Sequence, residues 1–167
     1  MPKPNVAVVG AGYWGRNHVR VFHQLGALAA VCDGDAKTRA QVESEYGVPT
    51  FANSEEMLAS DIDAVVIATP ASTHDGLTQQ CLEAGKHVLV EKPASLNKDR
   101  LLANIVLAQS KGLTLMAGHL LLYHGAFQAL LKAVKEGAIG RTLYAYGQRV
   151  NLGKVRTDED VISSLAP

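Results

Sequence analysis

The stretch VAVVGAGYWGRNH, residues 6–18, constrains the fold more than any other part of the chain. A short run of small, mostly β-branched residues precedes glycines at positions 10, 12 and 15, and a helix-forming segment follows. Glycine loses more conformational entropy on folding than any other residue, so such a cluster needs a structural reason. A tight turn between a strand and a helix, where the backbone can approach a large anion, supplies one.

Short apolar runs alternate with amphipathic segments from the N-terminus to about Gly118. The predicted strands are Asn5–Val9, Leu28–Cys32, Ala64–Thr69, His87–Val90 and Leu113–Ala117, with a weaker one near Thr50. The predicted helices are Tyr13–Leu25, Ala36–Tyr46, Ser54–Ala59, Thr73–Ala84 and Lys98–Ser110. The strands lack polar alternation, which is typical of a parallel sheet covered on both faces. The alternation therefore predicts an α/β fold with a doubly wound parallel sheet.

Residues that end or begin helices stand where these predictions require them. Gly47 and Gly85 directly follow predicted helices, where a left-handed conformation is favoured. Asn53 and Ser72 precede predicted helices, so we expect both to act as N-caps.

Composition excludes several classes of protein. The 167 residues suffice for one well-buried core, and 16 basic residues balance 16 acidic ones, which argues against a nucleic-acid partner. The apolar stretch 113–131 contains two histidines and two glycines, so we interpret it as a strand and a helix and predict no membrane contact. The N-terminus resembles no secretory signal, and Cys32 and Cys81 have no metal-binding spacing, so we predict a cytoplasmic protein without a metal.

The pattern changes after residue 120. A helix is predicted over Ala126–Lys135, followed by one long strand that includes Leu143–Val150. A lone strand cannot bury its apolar face, so this part is expected to begin a second α/β domain that is truncated here. We predict a dinucleotide-binding domain over residues 1–120, and the connecting helix, first strand and loop of an incomplete substrate domain over 121–167. An unpaired strand edge also favours self-association, so a homo-oligomer is one expectation.

The first glycines and the end of the second predicted strand together indicate a cofactor. In a dinucleotide-binding fold the first glycine makes the turn, the second lets the pyrophosphate touch the backbone, and the third lets helix and strand pack closely. Asp33 follows Gly15 by 18 residues, where an acid accepts a hydrogen bond from a ribose hydroxyl. Such a carboxylate repels a 2′-phosphate, so NAD is favoured over NADP. Alternatively, Asp33 only caps the next helix.

Two further motifs lie at the carboxyl ends of predicted strands, where this class of fold binds its ligands. Thr69-Pro70 leaves one strand, and His74 then lies in the first turn of the next helix, from which its ring can reach a cofactor. Glu91 and Lys92 directly follow another buried strand and precede Pro93, which permits a cis peptide bond. A lysine there can exchange a proton with a substrate or polarise a hydroxyl. Both motifs are equally compatible with ordinary surface residues.

Together these motifs resemble one family. The matching stretches are GAGYWG at residues 10–15, Thr69-Pro70 with His74, and AGKHVLVEKP at residues 84–93. They are similar to those of the glucose-fructose oxidoreductase, inositol dehydrogenase and rhizopine-catabolism (Gfo/Idh/MocA) family, and the likeness extends from residue 5 to about 150. It implies a Rossmann domain and a nicotinamide-dependent oxidoreductase of sugars or polyols. By this resemblance Lys92 is the catalytic lysine, and the cofactor-binding set is Gly10, Gly12, Tyr13, Trp14, Gly15, Asp33, Thr69, Pro70, His74, Glu91 and Lys92.

Within that family, GHLLLYHGAF (118–127) and RVNLGKVRTDED (149–160) resemble the nucleotide-sugar 3-dehydrogenases, although Gly125 replaces the usual proline. The resemblance implies that the substrate is a sugar or a nucleotide sugar. Five residues are candidates to bind its phosphate or carboxylate groups, and otherwise are loop residues in water: His119, Tyr123, Arg149, Lys154 and Arg156.

The resemblance implies an NAD-dependent sugar dehydrogenase, of which this chain is the cofactor-binding part. The family also uses a histidine of the second domain, and no histidine follows His124 here, so we expect the chain alone to be inactive. A non-catalytic NAD(P)-binding sensor or interaction module is the alternative. A methyltransferase would give the Glu91-Lys92-Pro93 motif no role.

Overall fold

The structure, a computed structural model, describes residues 3–148. The chain divides into two compact units, Met1–Gly118 and His119–Pro167. In the first unit the strands are β1 (Val6–Val9), β2 (Leu28–Cys32), β3 (Thr50–Phe51), β4 (Ala64–Ile67), β5 (His87–Glu91) and β6 (Leu115–Gly118). Its helices are α1 (Gly15–Gln24), α2 (Ala36–Tyr46), α3 (Ser54–Leu58), α4 (His74–Glu83) and α5 (Lys98–Ser110). Every strand and helix predicted for this unit is present.

The six strands form one parallel sheet in the order β3-β2-β1-β4-β5-β6. The chain runs outward from β1 to β3 on one side and returns to β4 on the other side of β1. The carboxyl ends of β1 and β4 therefore flank the point at which the strand order reverses, and ligands bind at this point in open α/β sheets. The predicted doubly wound α/β fold is confirmed.

The apolar core lies on both faces of this sheet. On one face Val8, Val31 and Val66 pack against Val19 of α1 and Val42 of α2. A second, larger cluster covers the other face and contains Val9, Cys32, Met57, Ile67, Cys81, Leu82 and Val90. Small β-branched residues on both faces explain why the strands show no polar alternation in the sequence.

Three of the four residues predicted to cap or end helices do so in the structure. Asn53 caps α3 by accepting a hydrogen bond from the Glu56 amide at 3.0 Å. Gly47 and Gly85 have φ values of 67° and 74°, the left-handed region that glycine adopts without strain. The prediction for Ser72 is wrong, because residues 71–73 form a 3₁₀ turn and α4 starts only at His74.

The second unit contains a 3₁₀ turn, Leu120–Tyr123, and the helix α6 (Gly125–Lys135) that the sequence predicted from Ala126. The strand predicted over Leu143–Val150 is wrong for residues 143–148, which form no strand; residues 149–150 lie outside the described part. Leu143, Tyr144 and Tyr146 are between 77% and 86% exposed, so no neighbouring strand covers them within residues 3–148. A strand without a partner leaves its backbone groups unpaired, and extended conformation alone does not stabilise it.

Of the helices in residues 3–148, none combines the length and the apolar character needed to cross a membrane.

The glycine turn sets the distance between α1 and β1. A Cβ atom added to Gly15 would lie 1.8 Å from the carbonyl oxygen of Gly10, which is backbone and cannot rotate away. We therefore expect Gly15→Ala to destabilise the chain by about 3 kcal/mol or more, since overpacking costs this much when the backbone must move. Gly76→Ala is the matched control, because a Cβ there meets nothing within 4 Å. Urea unfolding of both variants measures the difference, and equal stabilities would contradict the expectation.

Candidate functional site

The turn between β1 and α1 is closely packed at its first and third glycines. Gly10 has a φ of 86°, and a Cβ there would lie 2.8 Å from the Ala68 carbonyl oxygen. Its amide donates to the Cys32 carbonyl oxygen at 2.8 Å, which ties the turn to β2. Gly15 lies directly against Gly10. Side chains at these two positions would separate the helix from the sheet.

The second glycine faces open space instead. No atom lies within 4 Å of a Cβ built on Gly12, and Gly12 is exposed. Helix α1 begins three residues later with no side-chain cap, so its first amide groups have no side-chain acceptor. The Arg16 and Asn17 amides donate to the carbonyl oxygens of Gly12 and Trp14 at 3.2 Å and 2.9 Å. The positive end of the helix dipole attracts an anion. The open backbone at Gly12 and the uncapped helix fit a pyrophosphate.

Asp33 connects the end of β2 to this turn. Its Oδ2 accepts a hydrogen bond from the Ala11 amide at 2.8 Å, and its Oδ1 accepts one from the Asp35 amide at 2.9 Å. The N-cap of α2 is Asp35, which accepts from the Lys37 amide at 2.7 Å. The alternative in which Asp33 caps that helix is therefore wrong. Arg39 donates to the carbonyl oxygen of Asp33 at 2.8 Å and holds the same loop.

A cleft of about 390 Å³ lies over the carboxyl ends of β1, β2 and β4. It brings together residues that the sequence analysis assigned separately to cofactor binding, namely Gly10, Gly12, Asp33, Thr69 and Pro70. Asn53 and Ser54 at the start of α3 complete its wall.

His74 was predicted to reach a cofactor from the first turn of its helix, but it does not line this cleft. Its ring is 1% exposed, and its Nδ1 and Nε2 lie 2.7 Å and 2.9 Å from the carbonyl oxygens of Pro93 and Thr69. Both ring nitrogens thus lie against backbone carbonyl oxygens, and the N–H of a neutral ring donates to one of the two. His74 joins the loop after β4 to the loop after β5.

Glu91 and Lys92 stand at the end of β5, next to the glycine turn. The Glu91 Oε1 atom accepts hydrogen bonds from Trp14 Nε1 at 2.8 Å and from His18 Nε2 at 2.7 Å. Lys92 is half-buried, and its peptide bond to Pro93 is cis, as the sequence allowed. Burial raises the pKa of Glu91, but the hydrogen bonds from His18 and Trp14 outweigh it and hold this pKa below its usual range. Glu91 is therefore an ionised acceptor at neutral pH.

His18 was not predicted from the sequence as part of the site. It lies on α1 four residues after Trp14, so both side chains reach the same neighbouring strand. That spacing is visible in the sequence, but the partner, Glu91, is 73 positions away from His18. Tyr13 of the same turn is 90% exposed.

The five candidate substrate residues fall within the residue range of the second unit. His119 precedes the 3₁₀ turn, and Tyr123 is the last residue of this turn and is 67% exposed. Arg149, Lys154 and Arg156 lie outside the described residues.

Neither cysteine supplies a reactive thiolate. Burial raises the pKa of Cys32 to about 11 and that of Cys81 to about 12. Both are free thiols within the core and stay protonated at neutral pH.

Residues 4–119 match the sequence model of the Gfo/Idh/MocA oxidoreductase family with an NAD-binding Rossmann fold. The chain belongs to this family. Its match spans all six strands, the glycine turn and Lys92, and it confirms the family resemblance and the predicted cofactor, NAD.

Several members of the family are similar over most of this chain. UDP-N-acetylglucosamine 3-dehydrogenase of Acidithiobacillus ferrooxidans is 35% identical over 95% of the chain and 49% of its own length. The WlbA dehydrogenase of Bordetella pertussis, solved with NADH and UDP-GlcNAcA, superposes with a TM-score of 0.79 at 26% identity over 84% of this chain and 44% of its own. Scyllo-inositol dehydrogenase of Lactobacillus casei was solved with NAD(H) and scyllo-inositol. It superposes with a TM-score of 0.79 at 26% identity, over 83% of this chain and 43% of its own. The chain thus spans about half of the length of these relatives.

The open space at Gly12 leads to a prediction about the cofactor. Gly12→Ala should leave the unfolding free energy nearly unchanged, because a Cβ there meets no protein atom. It should lower NADH affinity about tenfold, since the methyl group takes the space through which the pyrophosphate approaches. Fluorescence titration with NADH measures the change. Unchanged affinity would show that the dinucleotide does not contact this glycine.

Proposed function

We propose that this chain carries the cofactor-binding part and the catalytic lysine of an NAD-dependent dehydrogenase that oxidises a hydroxyl group of a sugar or nucleotide sugar. One observation supports this most directly. The hydrogen bond from Trp14 to Glu91 joins the glycine turn, part of which lines the cleft, to the strand end that bears Lys92. The sugar and nucleotide-sugar dehydrogenases among its relatives agree with this chemistry.

The residues of the cleft fit a dinucleotide. The backbone of residues 12–15 and the positive end of the α1 dipole would bind the pyrophosphate, and Asp33 would accept from the adenosine ribose. Thr69, Pro70, Tyr13, Trp14, Glu91 and Lys92 complete the proposed cofactor set, whereas we assign His74 to the support of the two loops. When bound, NAD would supply the hydride acceptor of the reaction.

Lys92 would act on the substrate hydroxyl. Lys92 is half-buried, and a lysine side chain can orient a hydroxyl oxygen or exchange a proton with it. The carboxylate of Glu91 accepts from the Lys92 amide at 3.2 Å, which fixes the backbone from which the lysine side chain starts. Positioning of this kind is the main task of the protein when the cofactor carries the redox chemistry.

The substrate residues and the domain organisation extend the same proposal. We infer a dinucleotide-binding domain over residues 1–120 and part of a substrate domain over 121–167. Among His119, Tyr123, Arg149, Lys154 and Arg156, the two arginines and the lysine suit the phosphate or carboxylate of a nucleotide sugar. Two free cysteines favour a reducing compartment, so we retain the cytoplasm as the proposed location and a homo-oligomer as the proposed assembly.

The carboxylate of Asp33 gives a test of cofactor choice. Asp33→Ala removes the acceptor for the ribose and the bond to the Ala11 amide, so NAD affinity should fall about tenfold or more. NADP affinity should change less, because the wild-type carboxylate repels its 2′-phosphate. Asp99→Ala, which removes the same charge from the exposed start of α5, is the control. Calorimetry with both cofactors measures the effects, and an unchanged NAD affinity would remove Asp33 from the site.

Lys92 gives a test of catalysis. The 167-residue chain should bind NADH but show no steady oxidation of UDP-N-acetylglucosamine or inositol. Joined to the remaining part of the Acidithiobacillus relative, it should turn over, and Lys92→Ala should then lower kcat roughly a hundredfold or more. Lys98→Ala on α5 is the control. Steady turnover by the isolated chain, or full activity of the Lys92→Ala fusion, would contradict the proposal. A wild-type fusion that binds NADH without turnover would favour a sensor.

A further inference from the structure

Three donors from different parts of the first unit converge on the carboxylate of Glu91. Trp14 belongs to the glycine turn and His18 to α1, and both donate to Oε1. The amide of Lys92, the next residue in the chain, donates to Oε2. The side chains of His18 and Glu91 are only 21% and 14% exposed, so water competes little for these bonds.

The chemistry of these donors requires a carboxylate. An indole N–H and a backbone N–H only donate, so the atoms facing Trp14 and Lys92 must both be acceptors. Glutamine at position 91 would place its NH₂ group against one of them, and two donors would then face each other. Glutamate is the residue of this length that accepts at both oxygens.

The neighbouring strand leaves room for this carboxylate. Gly118 of β6 pairs with Glu91 across the sheet. A Cβ atom on Gly118 would lie 3.1 Å from Cδ and from Oε2 of Glu91, closer than ordinary van der Waals contact. Alanine at this position would therefore displace the carboxylate by a few tenths of an ångström. The φ of Gly118 is not positive, so backbone strain does not explain this glycine.

We propose that His18 is a positioning residue: together with Trp14 it holds the Glu91 carboxylate, and this carboxylate fixes the strand end that bears Lys92 against the glycine turn. Gly118 provides the space in which the carboxylate lies. The proposal deepens the proposed function and rests on it only for the catalytic role of Lys92. A substitution at His18 on α1 is therefore expected to change the reactivity of Lys92 without contacting it.

The low pKa of Glu91 supports this arrangement. The hydrogen bonds from His18 and Trp14 outweigh the effect of burial, so the folded chain favours the ionised carboxylate. A group whose pKa is lowered on folding stabilises the fold above its unfolded pKa, and this contribution is lost as the pH falls through the folded pKa. His18 of α1 is a titratable group in contact with this carboxylate, the bond from Lys92 comes from its backbone amide, and Gly118 of β6 brings no titratable group.

Trp14 provides a direct probe, because it is the single tryptophan of the chain. Its indole N–H gives one signal in a ¹H–¹⁵N correlation spectrum, displaced downfield by the bond to the carboxylate. We expect His18→Ala to move this signal upfield, and His18→Gln, whose amide retains a donor near Nε2, to restore most of its position. His23→Ala is the matched control, since His23 lies on the same helix and contacts the ring of Tyr46 instead.

Lys92 provides the second readout. Labelling with an amine reagent, followed by mass spectrometry, compares the reaction rate of Lys92 with that of exposed Lys98 in the same sample. In His18→Ala the rate at Lys92 should change relative to wild type while that at Lys98 stays constant. NADH affinity should fall about tenfold, the effect of losing one hydrogen bond to a charged group. An unchanged indole signal and an unchanged Lys92 rate would overturn the proposal.

Gly118→Ala tests the same idea without removing any polar group. It should move the indole signal and change the labelling of Lys92 in the folded chain, whereas Gly76→Ala should change neither. If His18→Ala does not fold, Gly118→Ala decides, and wild-type values at both positions would overturn the proposal. The two readouts are taken without cofactor. If the wild-type chain binds no NADH but the two variants show these changes, the proposed function is refuted and the positioning role stands.

Discussion

The rest of the structure depends on the close approach of α1 to β1 at the glycine turn. Gly15 lies so near the Gly10 carbonyl oxygen that a side chain there would overlap it at 1.8 Å. This close packing brings His18 and Trp14 within hydrogen-bond distance of Glu91 in β5. The connection between the glycine turn and the strand end that bears Lys92 is thus a consequence of one packing constraint.

Two carboxylates connect the glycine turn to other strands by hydrogen bonds. Asp33 links the turn to β2 through the Ala11 amide, and Glu91 links it to β5 through Trp14. Both accept hydrogen bonds from the segment that would hold the pyrophosphate, one from each side. The two acids therefore tie the glycine turn to β2 and β5, which are not adjacent in the sheet.

The sequence predicted most of the fold because its signals are local. The bounds of β2, α2 and α5 were predicted to the residue, since apolar periodicity and caps mark them within a few positions. Contacts between distant residues were missed: His18 bonds to Glu91, and His74 bonds to Pro93 and Thr69. Only the folded chain brings these groups together. The prediction of a strand at 143–148 was wrong, because an apolar pattern indicates a strand only where a partner strand exists.

The carboxylate of Asp33 is already oriented by two backbone amides in the free chain. Its rotamer does not need to be selected when a ligand arrives, so little side-chain entropy is lost at that moment. A preorganised frame of this kind lets the rate of association approach the limit set by diffusion and orientation, with no slow rearrangement. Differences in affinity among related chains would then reside mainly in how long the dinucleotide stays bound.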